Sequence, residues 1–349
     1  MTVGSNAHES AMNAPAPAPA PATAPSFAPG GAAQVPVVDI GPLRDGSDPR
    51  RVADALLRAS REVGFLYVTN HGIDPALLDQ ARAQALAFFR QPVESKLALG
   101  ISERHRGFLR MGGARMQDDA LPDLKESFIW GIEDAGGHTR EDHPLRGRNR
   151  WPEGRPGLRA AALRFFAEAD AVARHLMHGF ALGLGLDRDF FLRTCSVPMS
   201  RAAFVYYPPQ DPGLDGRQFG VAPHTDFGVL TVLCQDDVGG LQVQDANGQW
   251  VEAAPIAGTL VVNVGDLLAR WTNGVCRSTP HRVVNRSGRE RLSLVLAFDP
   301  DPETRIDARE VFPDLTPVEA PISCGDYLNW RFGRSFDYRA ASSAEPAAV

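Results

Sequence analysis

The chain has 349 residues, and 36 lysine and arginine residues stand against 42 aspartate and glutamate residues, giving a formal net charge of -6. A chain of this length can bury a large core in one or two domains. The mildly acidic balance provides no global attraction to nucleic acid or to anionic membranes, so we expect a small-molecule partner.

The sequence shows no targeting segment. No apolar run approaches the roughly 20 residues that span a bilayer, and the N-terminus lacks the basic start and apolar block of a secretory signal. We therefore expect a cytoplasmic protein with no membrane partner, and the oligomeric state stays open. No cysteines form a Cys-x-x-Cys pair, which predicts reduced, buried thiols at Cys195, Cys234, Cys276 and Cys324.

The first half of the chain predicts a tail followed by a helix-rich region. Residues 1–34 are rich in alanine and proline and have little to bury, which predicts disorder. Apolar residues then recur at helical spacing in three segments. The predicted elements are a short strand near Val35, a helix from Pro49 to Gly64, a strand over Phe65–Thr69, a helix from Pro75 with Asp74 as N-cap, and a long helix from Leu158 to about Phe180.

After Ser200 the sequence changes to short β-type runs separated by turn signals, a pattern typical of an all-β sandwich or barrel. Between two of these runs, the pair Asn247-Gly248 predicts a β-hairpin with left-handed turn residues. The runs are AAFVYY, VLTVLCQ, GLQVQ, TLVVNVG, HRVVN and RLSLVLAF.

Two polar side chains stand at the start of the apolar run VLTVL. His224 and Asp226 are two residues apart, so in an extended segment both side chains point the same way. Alone, such a pair is more often a solvent-exposed turn. His281, at the start of another β-type run, supplies a second imidazole. Two histidines and one carboxylate make the facial triad of non-haem iron(II) oxygenases, whereas a structural zinc site needs a fourth protein ligand.

Arg291 and Ser293 form a second polar pair on a β-type run. They share one face of the strand, while the leucines beside them face the other way. An inward arginine needs an anion, because an unpaired buried charge costs several kcal/mol. The carboxylate of a small acid meets that need through the guanidinium and the hydroxyl. A structural aspartate or glutamate is an equally good partner when this pair is considered alone.

Several motifs in order resemble the iron(II)- and 2-oxoglutarate-dependent dioxygenases of the isopenicillin N synthase-like group. The resemblance extends over roughly residues 35 to 335. The motifs are VPVVDIGPL, GFLYVTNHGI, DLKESFIWG, YYPPQ, HTDFGVLTVL, GGLQV, NVGDLLARWTNGVCRSTPHRVVN and RLS.

This resemblance implies a fold and a domain organisation. The expected fold is mainly β with α: a double-stranded β-helix (jelly roll) with N-terminal helices packed around it. The expected regions are a disordered tail over residues 1–34, a helix-rich region over 35–190, a jelly-roll catalytic core over 191–335, and a C-terminal tail over 336–349.

The resemblance also implies a chemistry. It implies that the iron(II) ligands are His224, Asp226 and His281. It also implies that Arg291 and Ser293, assisted by Tyr207, bind the distal carboxylate of 2-oxoglutarate. The expected reaction uses dioxygen to hydroxylate or desaturate a small molecule, while 2-oxoglutarate becomes succinate and carbon dioxide. Val205 departs from the asparagine of many plant members, so no amide contact to the co-substrate is expected there.

The predicted substrate pocket rests on position in the sequence. An inward-facing arginine at Arg110 would favour an acidic substrate such as an amino acid. An ordinary core accounts equally well for the aromatic residues of the set, and a solvated surface for the arginine. The predicted pocket residues are Phe108, Arg110, Phe128, Phe227, Trp271 and Phe332.

Three other functions are compatible with the same residues. In isopenicillin N synthase the Arg/Ser pair holds the carboxylate of the substrate itself, and no 2-oxoglutarate is used. An ethylene-forming enzyme has the same ligands. A non-enzymatic carboxylate-binding module on a jelly-roll scaffold is the third alternative, because fold does not fix function.

Overall fold

The computed structural model describes residue 1 and residues 35–115, 121–134, 136–210 and 218–342, so the predicted N-terminal tail lies outside the described residues apart from Met1. Strands and helices alternate along the chain. The strands are β1 Val37–Asp39, β2 Phe65–Thr69, β3 Gly107–Leu109, β4 Glu126–Gly131, β5 Arg201–Tyr207, β6 Val221–His224, β7 Leu230–Gln235, β8 Leu241–Gln244, β9 Trp250–Glu252, β10 Leu260–Val264, β11 His281–Val283, β12 Arg291–Phe298, β13 Arg305–Ile306 and β14 Ile322–Ser323.

Eight α-helices lie among these strands in the described residues. They are α1 Gly41–Arg44, α2 Pro49–Glu62, α3 Pro75–Phe89, α4 Val93–Leu97, α5 Pro156–Gly183, α6 Asp266–Trp271, α7 Ala308–Val311 and α8 Cys324–Ser335. The three long helices predicted in the first half are thus confirmed. Asp74 caps α3 as expected, because its carboxylate accepts a hydrogen bond from the backbone N–H of Ala76 at 2.9 Å.

Two main sheets form the centre of the fold. The large sheet has the strand order β1-β2-β10-β7-β12-β5-β4-β3, and the small sheet has the order β6-β11-β8-β9. Apolar side chains of both sheets, such as Tyr67 and Val261 of the large sheet and Val243 and Val283 of the small one, pack into one cluster between them. This is the double-stranded β-helix that the family resemblance implied.

Helices cover the other face of the large sheet. α3 and α5 lie against β12, and α2 packs on α5. The apolar stripe of α5, which includes Leu158, Phe165 and Leu176, belongs to the larger core cluster, as do Leu294 and Leu296 of β12. The helices therefore leave only the face toward the small sheet free to form a cavity.

The first half of the chain contributes more β structure than its sequence indicated. β1, β2, β3 and β4 all join the large sheet, and β3 and β4 were not predicted. All six residues of β4 are buried, so both faces of this strand are covered and its sequence lacks a polar-apolar alternation. The predicted regions 35–190 and 191–335 thus share one sheet.

The predicted β-hairpin is present, with a different turn. β8 and β9 pair antiparallel, with Gln244 opposite Trp250. Only Gly248 has a positive φ, of 79°, and Asn247 does not. The Asp245 carboxylate accepts backbone N–H bonds from Asn247 and Gln249 instead, which stabilises the turn locally.

The four cysteines are buried and form no disulfide, in agreement with the sequence. Among the described residues, no helix has the length and apolar character needed to cross a membrane. At the C-terminal end, α8 is followed by a 3₁₀ helix over Asp337–Ser342 that contacts it.

Gly64 connects the N-terminal helices to the segment that carries His281. Its φ is +75°, and a Cβ at this position would lie 2.4 Å from the carbonyl oxygen of Arg277 and 2.4 Å from Oγ1 of Thr279. The Thr279 hydroxyl donates to the carbonyl of Val63 at 2.7 Å. Only glycine at position 64 therefore allows the chain to pass this close to Thr279, which lies two residues before His281.

We expect Gly64→Ala to lower the free energy of unfolding by about 2–4 kcal/mol, the sum of a left-handed backbone and a steric clash. Gly46→Ala is the matched control, because Gly46 has a φ of +78° with nothing within 4 Å of its Cβ position, and it should lose only about 1 kcal/mol. Urea denaturation measures both values. Equal losses in the two variants would show that the contact with Arg277 and Thr279 is unimportant.

Candidate metal centre

The fold brings His224, Asp226 and His281 together. His224 is the last residue of β6 and His281 the first of β11, and the two residues are paired opposite each other in the small sheet. Asp226 lies in the loop between β6 and β7. One potential ligand atom from each side chain lies within 4.8 Å of the other two.

Both imidazoles are oriented in the same way. Nδ1 of His224 donates to the carbonyl of Ala222 at 2.8 Å, and Nδ1 of His281 donates to the carbonyl of Thr279 at 3.2 Å. Each ring therefore carries its proton on Nδ1 and presents the lone pair of Nε2. Oδ1 of Asp226 lies 3.8 Å from both Nε2 atoms. Two imidazole nitrogens and one carboxylate oxygen thus converge from one side, which fits a divalent metal ion with open positions.

The second carboxylate oxygen of Asp226 is held by the large sheet. Thr231 of β7 donates to Oδ2 at 2.5 Å, and Asn263 of β10 donates to it at 2.8 Å. Such bonds to the outer oxygen fix the direction of the inner one. No sequence pattern singled out either residue, although each is a polar residue within an apolar strand.

The charges at this site match the metal-binding protonation states. Burial and the neighbouring His281 lower the pKa of His224 to about 3. Burial opposes ionisation of Asp226, but the two histidines and the bonds from Asn263 and Thr231 outweigh it and lower its pKa to about 2. At neutral pH this places a neutral imidazole at His224 and an ionised carboxylate at Asp226.

A short helix closes the site on the outer side. The N–H of Asp266, the first residue of α6, donates to the carbonyl of Asp226 at 2.7 Å. A Cβ at Gly265 would lie 2.1 Å from the carbonyl oxygen of Gly228, so glycine is required for this approach. The Asp266 carboxylate accepts bonds from Thr225 and Tyr327. Asp266 therefore fixes the loop that contains Thr225 and Asp226.

Arg291, Ser293 and Tyr207 lie together on two neighbouring strands. Arg291 is paired with Tyr207 across β12 and β5, and its guanidinium carbon lies 4.7 Å from the centre of the Tyr207 ring. Its Nε donates to the carbonyl of Gly239 at 2.7 Å, and its Nη1 donates to Oγ of Ser293 at 2.8 Å. Burial raises the pKa of Tyr207, so its phenol stays protonated and can donate.

One nitrogen of the Arg291 guanidinium lacks a hydrogen-bond partner among the described residues. The Arg291 side chain is only 1% exposed, and its Nη2 has no hydrogen-bond partner. No carboxylate among the described residues forms an ion pair with it. A buried cation with a free donor fits a carboxylate supplied by a ligand. This observation removes the alternative of a structural aspartate or glutamate within the described part of the chain.

His224, Asp226 and His281 line a cavity of about 210 Å³. Its wall includes Tyr207, Val205 and, on β12, Val295 and Ala297. Arg291 and Ser293 occupy the same face of that strand, at its other end, but are not part of the wall itself. Val205 presents an apolar surface where many plant relatives of the predicted family have an amide.

Of the six predicted pocket residues, Phe227 and Phe332 line this cavity. Phe108 and Phe128 do not: they point to the opposite face of the large sheet, where both pack against Phe88. Because side chains alternate along a strand, their neighbours Leu109, Ser127 and Ile129 line the cavity instead.

The other two pocket predictions also lie elsewhere. Trp271 is buried on α6 and packs edge-to-face on Phe191. Arg110 is exposed and does not line the cavity. The aromatic residues among these mispredictions belong to the ordinary core, and the arginine belongs to the surface.

Polar side chains that the sequence did not single out form part of the cavity wall. Arg201 pairs with Asp299 at 2.6 Å, and Lys125 pairs with Asp123 at 3.1 Å. His105 and Ser127 complete this polar wall. His105 has a φ of 60° in a loop, so no periodic pattern could have placed it.

Comparisons with known proteins agree with this geometry. Residues 35–154 match a family described as the N-terminal part of a non-haem dioxygenase in morphine synthesis, and residues 198–300 match the 2OG-Fe(II) oxygenase superfamily. A probable iron/ascorbate oxidoreductase of Dictyostelium discoideum is 34% identical over 304 residues, covering 77% of this chain and 82% of that protein.

Two further relatives are known with a named substrate or ligand. Validamycin A dioxygenase of Streptomyces hygroscopicus subsp. limoneus is 33% identical over 306 residues, covering 83% of this chain and 81% of that protein. The crystal structure of a full-length Neurospora crassa protein in complex with alpha-KG and thymine is similar with a TM-score of 0.75 and 29% identity, covering 88% of this chain and 97% of that one.

We expect Thr231→Val to weaken binding of a divalent metal about 10- to 100-fold, because Asp226 loses a bond that orients its carboxylate. Calorimetric titration with manganese(II) measures the affinity. Thr259→Val is the control, since the Thr259 hydroxyl is at an exposed turn and bonds only the carbonyl of Ile256. Unchanged affinity in Thr231→Val would contradict the proposed role of this bond.

Proposed function

The chain belongs to the 2OG-Fe(II) oxygenase superfamily, and from that premise we propose which of its residues perform the reaction of an iron(II)- and 2-oxoglutarate-dependent dioxygenase. The proposed reaction is hydroxylation or desaturation of a small molecule. The proposal rests on two observations: three metal-ligating atoms converge, and a buried arginine of the same fold has one unpaired nitrogen.

His224, Asp226 and His281 are the proposed iron(II) ligands. Their donor set of two imidazoles and one carboxylate suits iron(II) and leaves further coordination positions for small ligands. The Nδ1 bonds to backbone carbonyls keep both rings in the required tautomer. The bonds from Thr231 and Asn263 keep the Asp226 carboxylate directed at the same point.

Arg291 is the proposed partner of the distal carboxylate of 2-oxoglutarate. Its free Nη2 would donate to one carboxylate oxygen, and the Ser293 hydroxyl, which accepts from Nη1 of Arg291, would hold the same group. The Tyr207 phenol lines the cavity and donates a further bond toward the same co-substrate. When bound, iron(II) and 2-oxoglutarate supply an oxidant formed with dioxygen, and 2-oxoglutarate leaves as succinate and carbon dioxide.

The cavity wall defines the proposed substrate class. Phe227 and Phe332 meet edge-to-face at 5.8 Å between ring centres and form an apolar wall. The polar wall of Arg201, Lys125, Ser127 and His105 provides hydrogen-bond donors. A small molecule with one flat or apolar side and acceptor groups on the other matches both walls. The thymine complex of the similar Neurospora protein supports a compact ligand of this type.

His224→Ala should abolish manganese(II) binding and succinate release together, because two protein ligands cannot hold the ion in the same way. Succinate is measured after incubation with iron(II), 2-oxoglutarate and oxygen, with a panel of small polar ring compounds and amino acids as substrates. His138→Ala is the control, since His138 is exposed on a loop. Full succinate release by His224→Ala would exclude His224 as a ligand.

Arg291→Gln should raise the KM for 2-oxoglutarate at least about thirtyfold, because truncating one partner of a buried charge pair costs about 2 kcal/mol or more. Arg289→Gln removes the same charge two residues earlier on the chain, where the side chain is exposed and pairs with Asp237. We expect this control to keep the wild-type KM. If instead Arg291→Gln raises the KM for the primary substrate and not for 2-oxoglutarate, Arg291 holds the substrate carboxylate.

A further inference from the structure

A second cavity, of about 470 Å³, lies outside the iron site and shares no lining residue with the first. Its wall combines the end of the loop that contains His105 with the segment after β4 and the residues before β5. The residues that matter for its chemistry are Arg106, Thr139, Arg140, Arg146, Ser196 and Ser200.

Three polar atoms in this wall are buried and have no hydrogen-bond partner: Nε of Arg106, Nη2 of Arg146 and Oγ1 of Thr139. The two arginines are 4% and 6% exposed. Buried polar groups in folded proteins are almost always bonded, so three unpaired donors around one cavity indicate a missing acceptor. All three are donors, and an anion is the kind of group that accepts from two guanidinium groups and a hydroxyl.

The charge balance also indicates an anion. Among the described residues, Arg106 forms no ion pair with a carboxylate, and its Nη1 donates only to the carbonyl of His105. Burial, the adjacent Arg201 and the adjacent Arg146 lower the pKa of Arg106 to about 9. Arg201 and Arg146 each pair with an aspartate, whereas Arg106 has no carboxylate partner among the described residues. A buried cation without a partner is costly unless an anion joins it.

One acidic residue, Asp134, lines this cavity, and other acidic residues lie near it; all of them already have partners. Asp142 pairs with Arg146 at 3.0 Å and with Arg140 at 3.4 Å. Asp134 accepts the backbone N–H groups of Gly136 and His138. Ser196 donates to Asp301. None of these groups supplies the acceptor that Arg106 lacks.

We propose that this cavity is a second anion site, in which Arg106 and Arg146 bind a phosphate or carboxylate group and the Thr139 hydroxyl donates to it. The site does not depend on iron or 2-oxoglutarate. Arg106 follows His105, whose ring lines the first cavity, so a bound anion would act on the segment that forms part of the substrate wall.

The test is calorimetric titration of the full chain, loaded anaerobically with iron(II) and 2-oxoglutarate so that the Arg291 position is filled. Inorganic phosphate and acetate are titrated separately, at constant ionic strength. We expect saturable binding of one equivalent of at least one anion, and the tighter of the two identifies the phosphate or the carboxylate class.

Arg106→Gln and Arg146→Gln should each weaken this binding at least tenfold. Arg148→Gln is the matched control, because it removes the same charge from the same segment at a side chain that is 85% exposed. Thr139→Val, which deletes one hydroxyl only, should weaken binding less and serves if an arginine variant does not fold. The proposal is overturned if neither anion binds, or if the three site variants Arg106→Gln, Arg146→Gln and Thr139→Val all bind like the wild type. Succinate release is assayed in parallel, so that failure of the dioxygenase reaction is distinguished from failure of this site.

Discussion

The Asp226 carboxylate joins the two sheets of this fold. One oxygen faces the imidazoles of His224 and His281 on the small sheet, and the other accepts hydrogen bonds from Thr231 and Asn263 on the large sheet. The imidazoles and the two hydrogen bonds favour the ionised form of this partly buried carboxylate. The geometry of the metal site is therefore fixed by the packing of the two sheets and not by a loop alone.

The rest of the active site follows from the alternation of side chains on β12. Arg291 and Ser293 at one end of the strand and Val295 and Ala297 further along share one face, over a length of about 20 Å. The same alternation turns the leucines between them into the helix-covered core. One strand thus connects the Arg291 and Ser293 pair, which we propose binds a carboxylate, to the apolar part of the cavity wall, while α3 and α5 pack against that strand.

Patterns local in sequence predicted well, and contacts distant in sequence did not. The pair His224 and Asp226 could be identified from residue type and spacing, and the capped helix α3 from Asp74 and Pro75. His281 is distant in sequence and was identified only as a histidine that could complete the ligand set. The substrate wall could not, because the choice between Phe128 and its neighbours depends on which face of a fully buried strand meets the cavity. Arg201 and Lys125 reach the cavity because strands that are far apart in the chain pair with each other. Thr231 and Asn263 could be identified only once the register of β7 against β10 was known. The two arginines of the second cavity carry no sequence signal, since only the fold reveals that they lack acceptors.

A crystal structure of the chain with manganese(II) and 2-oxoglutarate, prepared without oxygen, tests the central claim most directly. It should show the metal bonded to Nε2 of both His224 and His281 and to Oδ1 of Asp226, with Oδ2 still bonded to Thr231 and Asn263. The distal carboxylate of 2-oxoglutarate should contact Nη2 of Arg291. A metal bound without Asp226, or a 2-oxoglutarate carboxylate bound at Arg201 or Lys125 in place of Arg291, would contradict it.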